Sequence, residues 1–209
     1  MVVFDLDTSV DDLMDVLAPL SMRSKAALFG ACGTAMLPAL DELERVTAGK
    51  WSFRSAREAL APISEFATGS APESEFTELR RRILESGPNG HELDSPWSTY
   101  AQDALTCIDA GLVAASVGGQ QEFRTAWVFS AMEPMVASLN ERGYDVEFDP
   151  VETGSTDLQR EMDATVDFLS SAIARLSGLS EVSSAVYVQL IDGARAIVPP
   201  FDKGGPPQW

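Results

Sequence analysis

Hydrophobic positions recur every three or four residues along most of the chain, the spacing that stacks side chains on one face of an α-helix. The longest apolar run is Tyr100 to Gly119, YAQDALTCIDAGLVAASVGG. It predicts a buried central helix. Gln102, Thr106, Asp109 and Ser116 fall in one narrow polar stripe interrupted by Val113, while Ala101, Ala104, Leu105, Ile108, Leu112 and Ala115 cover the other sides. Ala104, Ala110, Gly111, Ala114 and Ala115 are small enough to let neighbouring helices come close. Ser95-Pro96 supplies a start and Gly118-Gly119 a stop.

The same period assigns elements on either side. Ser9 caps a first helix with Asp12 in its first turn, carrying Leu13, Met14, Val16 and Leu17. Ser21 to Gly49 reads as one helix interrupted near Pro38, with Leu28, Ala31, Ala35, Leu37 and Leu40 in the core and Asp41, Glu42 and Glu44 on an acidic edge. Trp51 to Ala67 places Phe53, Ala56, Leu60, Ile63 and Phe66 on one face. Glu73 to Ser86 turns Phe76, Leu79, Ile83 and Leu84 inward and leaves Arg80, Arg81 and Arg82 as a solvated basic surface. GPNGHELD, which holds the sole histidine, His91, is a loop by its turn residues.

Beyond the central run, Gln121 to Arg142 is a helix interrupted at Pro134, and YDVEFDPV at Tyr144 to Val151 alternates as a short extended segment with Asp145, Glu147 and Asp149 along one side. Thr156 to Leu176 is a helix closed by Gly178, and Ser180 to about Ala194 is the last one, with Val182, Val186, Leu190 and Ile191 inside. The expected fold is all-α: a single-domain bundle of about eight helices over residues 1–196, followed by an extended or mobile Pro/Gly-rich tail at 197–209.

Composition narrows the function classes. A hydrophobic fraction of 45% with ten Phe and four Trp supports a packed core. No apolar run reaches the roughly 18 residues of a membrane span, and MVVFDLD lacks the basic and apolar regions of a secretion signal. A soluble cytoplasmic protein is expected, with Cys32 and Cys107 as small core residues and a pairing between them as the open alternative. The formal net charge of -17 repels nucleic acid and anionic membranes and attracts basic partners.

Candidate chemistry is sparse. MVVFDLDT resembles the nucleophile motif of the haloacid dehalogenase-like phosphatases, with Asp5 as nucleophile and Asp7 as acid/base. Those enzymes need alternating strands and helices downstream, whereas this chain keeps a helical period, so the first account of Ser9 as a helix cap is preferred. No nucleophile triad, phosphate loop, zinc-ligand pattern or dinucleotide fingerprint occurs, and no catalytic residue, cofactor or metal is assigned. Asp163 and Asp167 share a helix face, yet the Glu-x-x-His pairs of helical di-iron proteins are missing.

ALFGACGTAMLP at Ala27 to Pro38, CIDAGLVA at Cys107 to Ala114 and the long helix from Leu158 to Leu176 resemble the YjaG-like family of uncharacterised helical bacterial proteins. That resemblance implies an all-helical architecture and supplies no catalytic residues. Two specific functional expectations stand beside a third, a housekeeping or regulatory helical protein whose acidity only confers solubility. One is a non-enzymatic acidic protein that binds a basic protein, as immunity proteins bind toxins, through Asp145, Glu147, Asp149, Asp41, Glu42 and Glu44, with Asp11, Asp12 and Asp15 as further candidates. The other is a small-molecule or metal site inside the bundle where Thr106, Asp109, Asp163 and Asp167 converge.

Overall fold

The apolar run around Cys107 does form a central helix, but it shares the centre with the Ala- and Gly-rich helix before Pro38. The structure, a computed structural model, describes Leu17 and residues 19–69, 74–86, 96–116 and 156–197. Its helices are α1 (Met22–Ala35), α2 (Leu37–Val46), α3 (Arg54–Ala67), α4 (Ser74–Ser86), α5 (Pro96–Ala115), α6 (Thr156–Leu176) and α7 (Ser184–Ile197). No strand occurs among the described residues. Helix α1 packs on α5, α3 and α7; α5 also meets α2, α3 and α4; and α6 packs on α7. The result is an all-α, single-domain bundle around one apolar cluster.

Local chemistry explains where these helices start and stop. The Ser21 hydroxyl accepts from the Ser24 N–H at 3.1 Å and caps α1. The expected interruption falls at Met36, whose φ of -92° and ψ of 0° turn the chain before α2, so that Pro38 sits in the first turn of the new helix. Helix α5 begins at Pro96, as its sequence signal indicates, and ends at Ala115. Ser116 closes it with its N–H on the Leu112 carbonyl and its hydroxyl on the Val113 carbonyl. Gly118-Gly119 lies beyond the described residues. Gly178, at φ +80°, follows α6 in the left-handed conformation that favours glycine.

Helix α1 lies antiparallel to α5, because a Cβ on Gly33 would meet Ile108 whereas one on Gly30 would meet Ile63, which also reaches Gly111 near the backbone N of Gly30. Moving forward along α1 thus means moving back along α5. The approach is tight. A Cβ on Gly33 would stand 2.6 Å from Ile108 Cγ1, and one on Gly30 would stand 2.7 Å from both Ile63 Cγ2 and Tyr187 Oη. Ile63 of α3 and Tyr187 of α7 therefore close on the two central helices where glycine leaves room.

The ends of the flanking helices are tied in by polar groups. Arg23 donates to the Phe66 carbonyl at 2.5 Å, its guanidinium lies 5.0 Å from the Phe66 ring centroid, and the Val182 N–H reaches the Ala67 carbonyl at 3.3 Å. These contacts satisfy carbonyls at the C-terminus of α3 that have no partner within the helix. The buried Ser24 hydroxyl lies 3.4 Å from the carbonyls of Leu176 and Leu179, which ties α1 to the end of α6.

Several expectations shift. Leu84 is 64% exposed rather than inward, because α4 buries Phe76 and Ile83 and the stripe they define leaves Leu84 on the far side. Helix α3 starts at Arg54, not at Trp51, and carries Pro62 in its interior. Helix α7 starts at Ser184, not at Ser180, and continues to Ile197. Its inner residues include Tyr187 and Ala194 with Leu190, while Val186 and Ile191 are only partly buried. The Ser9-capped helix up to Val16, the loop with His91, the Gln121 to Arg142 helix, the Tyr144 to Val151 segment and the tail after Ile197 lie outside the described residues.

The central crossing yields a stability test. Gly33→Ala should lower unfolding stability by about 1–3 kcal/mol through overpacking against Ile108, outweighing the roughly 1 kcal/mol that Ala gains in helix propensity. Urea denaturation monitored by circular dichroism measures it, and a stabilised variant would contradict the close approach.

Candidate functional site

The acidic edge of α2 does not stand free. Arg57 of α3 reaches across to it, placing Nη2 2.5 Å from Asp41 Oδ1 and 2.9 Å from Glu44 Oε2, with Nη1 3.0 Å from Glu44 Oε1. Glu44 Oε1 also accepts the Phe53 N–H at 2.6 Å, at the entry to α3. One carboxylate thus holds a neighbouring helix by its guanidinium and by a backbone donor that the helix cannot use. The Arg57 guanidinium, more than the Phe53 N–H, holds the Glu44 carboxyl below its ordinary range. Glu42 pairs with Arg45 one turn along α2, and that contact lowers its carboxyl as well.

The three consecutive arginines of α4 take three different partners. Arg80 Nε donates to Asp109 Oδ1 of α5 at 2.9 Å, in a pair whose side chains keep 28% and 13% of their surface. Arg81 stays on its own helix, where Glu78 and Glu85 flank it and raise its pKa further. Arg82 Nη2 reaches Glu58 Oε2 of α3 at 2.7 Å, and Arg54 approaches the other oxygen of Glu58 at 2.7 Å. Arg82 first and Arg54 second depress the Glu58 carboxyl. The expected solvated basic face is, for Arg80 and Arg82, a pair of links from α4 to α5 and α3.

The polar stripe of α5 is half-buried at Gln102, Thr106, Asp109 and Ser116, and Val113 within it is buried. Asp109 is engaged by Arg80. Asp167 of α6 is exposed, and Asp163 lies in the same helix with its side chain outside the described residues. Among the described residues, no group of three or more His, Cys, Asp and Glu side chains is placed to hold a metal ion. Asp145, Glu147 and Asp149 lie outside the described residues, as do Asp11, Asp12 and Asp15.

Beside Ser24, two further buried polar residues among those described were not singled out by sequence. Asp103 is fully enclosed on α5, in a stripe with Cys107, Ala110 and Ala114, each 1% exposed or less. The spacing of that stripe was the available signal: a carboxylate four residues from Cys107 and seven from Ala110 shares their face. Tyr187 is the second. Its hydroxyl lies near Thr34 and Ser64 but in hydrogen-bonding geometry with no group among the described residues, and burial is the main reason its pKa rises.

Both cysteines sit in the central pair of helices, Cys32 on α1 and Cys107, buried, on α5. Cys32 keeps some residue surface, yet its surroundings exclude water from the thiol and push it up to about 12. A nucleophilic role needs the opposite shift. The described residues also contain no helix long and apolar enough to cross a membrane.

Comparison of the chain with family models, with characterised proteins and with solved structures found no match in any of the three.

Three measurements test this geometry. A double-mutant cycle of Arg80→Ala and Asp109→Ala should give a coupling on the order of 1 kcal/mol, since the pair is partly buried; additive losses would show that the two do not interact. Glu44 has a lowered folded-state pKa, so its stabilisation is fully present above the ordinary value of 4.5 and is lost as the pH falls through the folded value. Arg57→Ala should therefore be less stable than wild type at pH 7, with the difference shrinking below about pH 4; a gap independent of pH would contradict this coupling. In brief alkylation at pH 8 read by mass spectrometry, Cys32 and Cys107 should be modified only after unfolding, and rapid native labelling of Cys32 would contradict its enclosure.

Proposed function

We propose that this chain is a non-enzymatic, acidic helical protein that binds a basic protein partner, in the manner of an immunity-type inhibitor. The observation that carries this reading is how acidic and basic residues are distributed along the chain. In the helical body, Asp41, Glu42, Glu44, Glu58, Glu78, Glu85 and Asp109 each face an arginine. Residues 1–16, by contrast, contain five Asp and no Lys or Arg, and residues 117–155 contain seven Asp and Glu against Arg124 and Arg142.

Charge paired inside a fold does little at a distance, because each carboxylate and its arginine form a short dipole that salt screens readily. Unmatched charge of one sign steers a cationic partner and selects against anionic ones. Asp145, Glu147 and Asp149 belong to the second of these segments and remain the first residues to test. The α2 edge ranks behind them, since Asp41, Glu42 and Glu44 already serve Arg57 and Arg45. A ligand site around Thr106 and Asp109 has less support for the same reason, with Asp109 committed to Arg80. The proposed kinship with the YjaG-like proteins adds an architecture and no activity.

The immobilised chain is expected to retain a basic protein from its host's lysate at low salt and to release it at high salt. With the partner purified, the triple reversal Asp145→Lys, Glu147→Lys and Asp149→Lys should weaken affinity by about tenfold or more while leaving the circular dichroism spectrum unchanged. Affinity indifferent to salt and to the reversal would overturn the proposal.

A further inference from the structure

We draw no further inference here: the strongest candidate, the cluster of the buried Tyr187 with the half-buried Thr34 and Ser64 beside Cys32 where α1, α3 and α7 meet, belongs to the packing junction already described and nothing in the structure points to a ligand for it.

Discussion

The close approach of α1 and α5 is the constraint on which the rest of this bundle depends. Gly30 and Gly33 on one helix and Gly111 on the other remove the side chains that would hold the backbones apart, and Ile63, Ile108 and Tyr187 occupy the space this leaves. Dispersion forces fall steeply with separation, so a junction filled to van der Waals contact stabilises far more than one with gaps. The same few residues also determine placement. Ile63 brings α3 to the crossing and Tyr187 brings α7, so the relative positions of four helices converge on one small region.

Around that apolar centre, arginine does the aligning. Arg57 spans α2 and α3, Arg80 spans α4 and α5, Arg82 spans α4 and α3, and Arg23 closes the end of α3. A planar guanidinium suits this work because its several donors can meet two acceptors at once, as Arg57 does with Glu44. Exposed pairs of this kind add little net stability, and their larger contribution is to select one arrangement of helices whose apolar faces are made mostly of similar small residues. A carboxylate so used is withdrawn from any external role, which is why the overall charge of -17 is a poor guide to the surface of the helical body.

The enclosed groups follow the same economy. Cys32, Asp103 and Tyr187 are nucleophilic or titratable side chains within the helical body. Burial disfavours the charged forms of the Cys32 thiol and the Tyr187 phenol, so both stay protonated through the neutral range. The protonated thiol and phenol therefore fit roles in packing.

Much of the architecture was legible in residue order alone. The helix Thr156–Leu176 was readable to the residue, the break before Pro38 followed from its missing N–H, and the start of α5 at Pro96 followed from its capping signal. Each is a local property, set by side chains within a turn or two of one another. The site chemistry was not local. Nothing near Asp109 announces Arg80, 29 positions earlier, and nothing near Gly30 announces the ring of Tyr187. The shared centre of α1 and α5 was hidden too, because an Ala- and Gly-rich helix looks much the same whether its small residues fill space or let another backbone approach. Amino-acid order determined which segments are helical and which faces are apolar; only the tertiary structure decided which helices touch and which charges meet, since those depend on distances that the chain closes by folding.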